Sequence, residues 1–326
     1  MHFYFAPLEG ITTYIYRNSH HAFYAGAEKY FTPFLSPNQN RSFGPKDLKD
    51  ILPEHNENIN IVPQLLTNNA EYFIQAAKGL WDYGYEEVNL NLGCPSGTVT
   101  AKGKGAGFLA KQKELDEFLE EIFNNVPGRV SVKTRIGKDS PDEFYELIDI
   151  FNKYPISELI IHPRVQTDFY KNSPNRKVFK DALALSKNRL CYNGDIFTAE
   201  AYKEFCEEFS ETEKFNTVMI GRGLLLNPGL IEEICEKEVN DEKTVNDEKI
   251  VNDKKRLKEF HDRIYMDYKN VISGDVNVLF KMKELWFYMA HSFTNPDKYL
   301  KKIKKSTRVC DYETAVRLLF EEQEIV

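Results

Sequence analysis

Residues 87–107 read EVNLNLGCPSGTVTAKGKGAG. The beginning of this stretch alternates between polar and apolar side chains, with apolar residues at Val88, Leu90 and Leu92. The alternation stops at Cys94, which lies between a glycine and a proline and is followed by a loop rich in Gly and Lys. This pattern predicts a buried strand that ends near Cys94, with a bent and accessible backbone beyond it. A lone cysteine is more often a core residue, but this placement makes Cys94 a candidate functional thiol.

Short β-rich runs of similar character recur along the chain, separated by amphipathic stretches. They cover residues 3–6, 27–32, 59–65, 87–92, 130–134, 159–162, 190–193 and 218–221. Tightly apolar runs that alternate with helical sequence are typical of a (β/α)8 barrel, the TIM barrel, in the α/β class. A doubly wound open sheet is the alternative.

Polar or conformationally unusual residues stand at or just after the carboxyl ends of these runs. They are Pro7, Gln64, Asn91, Cys94, Lys133, His162, Asn193 and Arg222. Taken alone, Lys133 is explained as a charge at a strand exit, His162 as a core histidine and residues 193–195 as a turn. In a closed barrel, however, all these ends meet at one mouth. The joint placement therefore favours the barrel and a functional site.

The segments after the seventh and eighth runs indicate a ligand that carries phosphate. In many barrels the loops at these positions bind phosphate through backbone N–H groups of a short helix. The segments here are Asn193-Gly194-Asp195 and Gly221-Arg222-Gly223. The other strand ends offer amide, cationic and imidazole groups, from Gln64, Asn91, Lys133 and His162. These groups suit the polar edge of a planar heterocycle, and a lysine near the N1–C2=O edge of a flavin would stabilise the negative charge of its reduced form.

The composition indicates a folded cytoplasmic protein without a bound metal. No apolar run approaches the roughly 20 residues that cross a bilayer, and the N-terminus, MHFYFAPLEG, lacks the basic region and cleavage site of a signal peptide. The five cysteines are widely spaced and contain no C-x-x-C pair, so neither a disulfide framework nor a zinc site is indicated. They are Cys94, Cys191, Cys206, Cys235 and Cys310.

Charge is distributed unevenly along the chain. The formal net charge is −7, yet residues 255–310 contain 13 Lys and Arg against 6 Asp and Glu, which leaves about −14 for the remainder. A basic segment on an acidic body indicates that one face meets an anion, although a charge run is often only a solvated surface. The basic residues concerned are Lys281, Lys283, Lys298, Lys301, Lys302, Lys304, Lys305 and Arg308.

The sequence predicts three regions. Residues 1–237 form the barrel. Residues 238–254 repeat a polar Val-Asn-Asp-type unit with a period that matches neither a helix nor a heptad, and we interpret them as a linker or a solvated helix extension. Residues 255–326 show apolar residues at helical spacing and predict a small helical domain.

Taken in order, these segments resemble the tRNA-dihydrouridine synthases over nearly the whole chain. The resemblance rests on APLEG at 6–10, NLNLGCPSGTVTAKGKGAG at 89–107, VKTR at 132–135, HPR at 162–164 with Tyr170, NGD at 193–195 and GRG at 221–223. Its most specific part is Asn-x-x-Cys-Pro with the downstream Lys and Gly-Ala-Gly. The resemblance implies an FMN-binding barrel, a helical tRNA-binding domain and NADPH as the reductant of the flavin. We expect a monomer.

The resemblance also implies roles for individual residues. The flavin ring system would be contacted by Pro7, Leu8, Gln64, Lys133 and His162. The ribityl-phosphate end would be held by Asn193, Asp195, Gly221 and Arg222. The substrate would be contacted by Asn91, which would orient the uracil, and by Lys102, Arg135, Arg164 and Tyr170. Four positions depart from the family pattern: Leu8 replaces a usual Met, Thr13 a frequent Asp, and Asp168 and Asn172 stand where Gln and Gly are common. These departures indicate a divergent subgroup.

The implied reaction adds a hydride from reduced FMN to C6 of uridine and a proton from Cys94 to C5. An unperturbed thiol, with a pKa of about 8.5, is mostly protonated at neutral pH, as this role requires. One alternative is an FMN-dependent oxidoreductase similar to dihydroorotate dehydrogenase, which the basic helical region disfavours because a small free substrate needs no such platform. The other alternative is a non-catalytic RNA-binding protein on the same barrel.

Overall fold

The structure is a computed structural model that describes residues 1–210, 215–239 and 247–326. Its nine strands form one sheet in which all named pairs are parallel. The strands are β1 (His2–Phe5), β2 (Ala27–Phe31), β3 (Ile61–Val62), β4 (Gln64–Leu65), β5 (Glu87–Leu92), β6 (Arg129–Arg135), β7 (Leu159–His162), β8 (Leu190–Tyr192) and β9 (Thr217–Ile220). Each predicted run overlaps one of these strands, except that the third run contains two.

The sheet closes almost completely on itself. Its two end strands, β3 and β4, are separated in sequence by Pro63 alone, and they pair with β2 and β5 respectively. They are therefore two halves of one strand, interrupted because proline has no N–H to donate. The Pro63 carbonyl still accepts the Asn89 N–H at 2.8 Å. The prediction of a TIM barrel is confirmed, and the alternative of an open doubly wound sheet is wrong.

Helices follow the strands and continue to the C-terminus. They are α1 (Tyr14–Phe23), α2 (Pro45–Ile51), α3 (Ala70–Asp82), α4 (Gly97–Thr100), α5 (Gln112–Asn125), α6 (Glu143–Phe151), α7 (Arg176–Leu185), α8 (Ala199–Glu208), α9 (Arg222–Leu226), α10 (Leu230–Val239), α11 (Asp247–Val271), α12 (Asp275–Met289), α13 (Asp297–Lys305) and α14 (Val309–Glu322). Short 3-10 helices occur at Pro53–His55, Gly105–Phe108, Gln166–Asp168 and Ala290–Ser292. The predicted C-terminal helices are confirmed.

Contacts divide the chain into two compact units. The first unit holds the barrel and comprises Met1–Glu9, Ala27–Asp195 and Glu204–Ile220. The second holds the C-terminal helices and comprises Gly10–Gly26, Ile196–Lys203 and Gly221–Val326. The domain boundaries after 237 and before 255 stay a prediction. Residues 240–246 of the predicted repeat lie outside the described residues, and residues 247–254 begin helix α11.

Each unit has its own core. In the barrel, one cluster of buried side chains combines residues of β1, β2, β3, β7, β8 and β9 with Ala6, which follows β1. They are Tyr4, Ala6, Phe31, Val62, Ile160, Cys191 and Met219. In the second unit, α11 and α12 bury residues at the predicted helical spacing, including Phe260, Ile264, Met282 and Trp286. A polar network crosses this second core: the Tyr312 hydroxyl accepts the Trp286 Nε1–H at 2.8 Å and lies 2.7 Å from Nε2 of the buried His261.

Three buried histidines make the protein sensitive to acid. Burial lowers the pKa of His20 to about 3 and also lowers the pKa values of His162 and His261 below the usual value of 6.5. The folded state therefore binds fewer protons than the unfolded state below pH 6.5, so stability is lost as the pH falls. We expect the free energy of unfolding to fall by up to about 1.4 kcal/mol per pH unit for each histidine.

Urea midpoints at successive pH values test this expectation. The variant His261→Asn should show a shallower pH dependence than the wild type, whereas His291→Gln, at an exposed position, should keep the wild-type slope. Equal slopes in all three proteins would contradict the assignment.

Candidate active site at the barrel mouth

The predicted polar residues form one layer above the apolar core of the barrel. Successive side chains of a strand point to opposite faces of the sheet. Val62, Ile160 and Cys191 belong to the interior cluster, so residues two positions further along the same strands face the same interior. Continuing in this way gives Gln64, His162 and Asn193. Asn91 and Lys133 face the same interior because Lys133 is in register with Ile160, and Asn91 with Lys133. The structure thus brings together five of the predicted site residues.

A chain of amide hydrogen bonds connects this layer to the barrel interior. Gln64 Nε2 donates to Asn89 Oδ1 at 2.8 Å, and Asn89 Nδ2 donates to Ser131 Oγ at 2.9 Å. Asn91 Nδ2 donates to Gln64 Oε1 at 2.7 Å. All four side chains are buried, so these bonds satisfy polar groups that would otherwise be costly to desolvate. The network fixes the orientation of Asn91.

Asn91 in turn fixes the backbone around Cys94. Its Oδ1 accepts the N–H groups of Gly93 at 3.0 Å and Cys94 at 2.9 Å. The Cys94 carbonyl accepts the Ala106 N–H at 3.0 Å. Gly105 has φ 55°, and a Cβ at this position would lie 2.8 Å from the Cys94 carbonyl oxygen. The downstream Gly-Ala-Gly is therefore needed for the loop to close against Cys94.

The Cys94 thiol is half-buried and held in its protonated form. Burial raises the pKa of the thiol above its usual value, and the Ser96 backbone N–H and the positive charges of Arg135 and Lys133 oppose this shift. A raised pKa keeps the Sγ–H proton in place at neutral pH. This arrangement suits a proton donor better than a nucleophile, which would need a lowered pKa.

Arg135 joins the Cys94 loop to the loop that follows β7. Its Nε donates to the Gly93 carbonyl at 3.0 Å, its Nη1 to the Val165 carbonyl at 2.8 Å and its Nη2 to the Phe169 carbonyl at 2.8 Å. The side chain is almost fully buried. In this geometry Arg135 positions two loops of the mouth, and its predicted contact with the substrate stays a prediction.

Lys133 carries a positive charge without a bonded partner in the described part of the chain. No carboxylate lies within 4.0 Å of its Nζ there, and no hydrogen-bond acceptor is recorded for it. Burial lowers its pKa to about 8, with a further contribution from Arg135. Most molecules are therefore still protonated at pH 7. A cation held in the mouth without an acceptor is suited to an electron-rich edge of a ligand.

His162 is neutral, and its neighbour Arg164 is committed to an ion pair. Burial lowers the pKa of His162 well below its usual value, and Lys133 and Arg135 lower it further. Arg164 is 1% exposed; its Nη1 donates to Asp195 Oδ1 at 3.0 Å, its Nη2 donates to Oδ2, and Nη1 lies 3.2 Å from His162 Nε2. The guanidinium is thus occupied within the barrel unit. The predicted contacts of Arg164 with tRNA and of Asp195 with the ribityl-phosphate stay predictions.

Two exposed aromatic residues stand on the loop after β7. Phe169 is 45% exposed and has φ 50°, a conformation that costs energy for a residue with a side chain. The Tyr170 ring is 53% exposed; its centre lies 5.4 Å from Arg135 Cζ and 6.0 Å from the His162 ring centre. Tyr170 therefore lies next to the layer of polar residues, although its predicted contact with RNA is not tested.

The two departures from the family pattern on this loop contact each other. Asn172 Nδ2 donates to Asp168 Oδ1, and Asp168 Oδ2 accepts the Val165 N–H at 3.1 Å. The Asn172 carbonyl accepts from Arg164 Nε. The pair of unusual residues therefore holds the loop in shape and supports Arg164.

Five other predicted residues are not part of this layer as the strand register defines it, and two of them belong to the second unit. Pro7 and Leu8 follow β1 and are partly exposed, and Lys102 is exposed in the turn after α4. Gly221 and Arg222 belong to the second unit, where Gly221 precedes α9 and the Arg222 guanidinium lies 5.1 Å from the Phe197 ring centre. Their roles stay predictions.

Sequence reasoning missed several residues that shape the site. Asn89 and Ser131 complete the amide network, and alternation with Asn91 and Lys133 was the signal that could have found them. No feature of the sequence could have identified Phe169, because neither its exposure nor its positive φ follows from its residue type.

Within residues 1–210, 215–239 and 247–326, every helix is too short or too polar to span a bilayer. No group of three or more His, Cys, Asp or Glu side chains in the same part of the chain is placed to hold a metal ion.

The chain is similar in sequence to proteins of one family. The family profile described as "Dihydrouridine synthase (Dus)" matches residues 4–316. "Probable tRNA-dihydrouridine synthase 2" of Bacillus subtilis (strain 168) is 28% identical over 240 residues, 71% of each chain. "tRNA-dihydrouridine synthase B" of Pasteurella multocida (strain Pm70) is 28% identical over 242 residues, 72% of this chain and 69% of the other. Because the profile spans almost the entire sequence, the chain belongs to the dihydrouridine synthase family.

Proposed function

We propose that this protein reduces the C5=C6 bond of specific uridines in tRNA to 5,6-dihydrouridine, with FMN as its cofactor and NADPH as the reductant. Family membership supports the reaction, and the names of the relatives support tRNA as the substrate. The observation that carries the proposal is the half-buried Cys94, whose backbone is held by Asn91 and whose neighbour Gly93 is held by Arg135, at the mouth that also contains Lys133.

The residues of the mouth fit a flavin. The unpartnered Lys133 ammonium would meet the N1–C2=O edge of the ring, and the amide of Gln64 and the neutral His162 would contact its polar atoms. Pro7 and Leu8 would cover the ring. When bound, reduced FMN supplies the hydride that reaches C6 of the uracil.

The chain itself supplies the proton for C5. Hydride addition at C6 leaves negative charge on C5 and O4, and the Cys94 Sγ–H bond breaks as its proton bonds to C5. The thiolate that remains lies in the field of Arg135 and Lys133, whose positive charges stabilise it until solvent restores the proton. Asn91 keeps the thiol in place by holding its backbone N–H.

The target uridine must leave the stacked RNA to reach this mouth. Extruding a base costs a few kcal/mol. Contacts between lysines and phosphates would offset that cost, and their strength falls with rising salt because the release of counterions into a more concentrated solution gains less free energy. The basic helical region supplies such lysines.

The proposal is tested with the purified full-length chain. We expect visible flavin absorption, bleaching of that absorption by NADPH, and dihydrouridine in tRNA that lacked it. Turnover of dihydroorotate instead of tRNA would favour the alternative dehydrogenase. RNA binding by a chain that takes up no FMN would favour the non-catalytic alternative.

The pH dependence of the proton-transfer step follows from the buried thiol. In single turnovers with flavin bound, we expect a rate that is flat through neutral pH and falls only in alkaline solution, because deprotonated Cys94 has no proton to donate. The neutral His162 adds no titration between pH 6.5 and pH 8. The Lys133 ammonium, whose pKa burial lowers to about 8, also loses its charge in alkaline solution, so two groups contribute to the fall in rate. The variant Cys94→Ser should keep only the contribution of Lys133, and a wild-type rate that already declines as the pH rises towards 7 would contradict the assignment.

A further inference from the structure

Helix α12 presents an apolar face that the fold leaves uncovered. Of the 23 phenylalanines only Phe169, Phe280 and Phe287 are exposed, and the last two lie on α12 with exposed fractions of 61% and 57%. Val276, on the same helix, is 70% exposed. Separations of four and seven residues place these three side chains on one helix face. Because Met282 and Trp286 bury the opposite face, packing of the bundle does not explain the exposed rings.

Lysines border this face. Lys283, between the two phenylalanines on α12, donates from Nζ to the Ser306 carbonyl at 2.5 Å, which ties α12 to the residue that ends α13. The Lys304 Nζ on α13 lies 6.0 Å from the Phe287 ring centre. The rings of α12 and the lysines of α13 therefore belong to one surface.

The lysines of α13 are largely free of acidic partners. Within the described residues no carboxylate lies within 4.0 Å of four of them, which are Lys301, Lys302, Lys304 and Lys305. Three of these lysines, together with Lys298, line a groove beside α14. The acidic residue of that groove, Asp311, is already bonded to Arg308 at 2.8 Å. Lys298 is paired with Glu322 at 3.7 Å, and the other lysines leave this surface with a net positive charge.

We propose that Phe280 and Phe287 stack on unpaired bases of the substrate RNA while the lysines of α13 hold the adjacent phosphates. Every base has a face that stacks on an aromatic ring, so rings bordered by cations bind unpaired RNA with little dependence on sequence. The proposal rests on the proposed RNA substrate. It adds a second mode of recognition, because a surface that met only phosphates would not need exposed rings.

A second copy of the chain fits this surface less well. In a symmetric dimer each patch meets its own equivalent, so the uncompensated lysines would face one another. RNA supplies both a stacking partner and a negative charge in one ligand.

Fluorescence anisotropy with the full-length chain tests the proposal. The probes are a labelled oligouridine and a labelled blunt RNA duplex of the same length, each titrated over a series of salt concentrations. For Phe280→Ala/Phe287→Ala we expect single-strand affinity to fall by roughly tenfold per ring, with an unchanged salt slope and little change for the duplex. For Lys301→Gln/Lys305→Gln we expect the salt slope for the single strand to fall by about 0.7 per lysine.

Matched controls separate stacking from loss of structure. Phe280→Tyr/Phe287→Tyr keeps both rings and should bind like the wild type, and Lys113→Gln removes an exposed lysine of α5 and should leave affinity unchanged. Single-strand affinity that survives the double alanine substitution would overturn the inference. So would a concentration-dependent dimer that the same substitution abolishes, because the face would then bind a second copy.

The proposed function and the inference about the two phenylalanines can be contradicted independently. A chain that forms dihydrouridine but binds oligouridine equally well with and without the rings retains the proposed function and loses this inference. A chain whose rings are needed for binding but which forms no dihydrouridine retains this inference and loses the proposed function.

Discussion

Replacing Cys94 by alanine is expected to slow dihydrouridine formation by about 10²- to 10⁴-fold while FMN binding and NADPH-driven flavin reduction continue. In the proposed mechanism the thiol is the proton donor, and burial raises its pKa, which favours the protonated form. Removing it leaves the charge that develops on C5 without an acid. Single turnovers of the flavin-reduced protein on unmodified tRNA measure the loss directly.

Two further variants separate acidity from size. Cys94→Ser keeps a similar volume but replaces the thiol by a much weaker acid, so we expect a loss close to that of Cys94→Ala. Cys310→Ala, which removes an exposed thiol of the second unit, should keep the full rate. If Cys94→Ala turned over tRNA at the wild-type rate, Cys94 would have no part in the mechanism.

Replacing Asp195 by alanine is expected to destabilise the protein by about 3 kcal/mol, the lower end of the cost of breaking a buried ion pair. Arg164 is 1% exposed and would keep its charge without the carboxylate that bonds both of its Nη atoms. The side chain of Asp195 is 25% exposed, so water can compensate part of the loss. Urea unfolding at pH 7.5 measures the change.

A double-mutant cycle shows whether the loss of stability comes from the ion pair between Arg164 and Asp195. Arg164→Met/Asp195→Ala removes both charges and should recover much of the stability lost in Asp195→Ala. Additive effects of the two single substitutions would show that the ion pair contributes nothing.

The sequence predicts the barrel well because its strands are buried on both faces. Such strands appear as short, tightly apolar runs, and the structure has a strand in each run. The sequence did not predict the interruption of the strand at Pro63. One proline within the run of residues 59–65 does not show that strand pairing continues on both sides of it.

The site was predictable only in part. The sequence shows the alternation that places Asn91 and Lys133 on one face. It also shows that the strand pattern ends at Cys94, between a glycine and a proline. The partners of each group are not readable, because the bonds of Arg135 to Val165 and Phe169 cross about 30 residues of chain and depend on the closed barrel. In the same way, the grouping of residues 10–26 with the C-terminal helices depends on tertiary contacts that no linear boundary expresses.

The Arg135 side chain couples two loops of the barrel mouth. A single guanidinium holds the carbonyls of Gly93 and Phe169, so the loop that carries the thiol and the strained aromatic loop share one anchor. A displacement of the Phe169 carbonyl would therefore remove one of the bonds that orient the guanidinium against the Gly93 carbonyl, next to Cys94. One side chain thus couples the position of an exposed aromatic residue to the backbone beside the thiol.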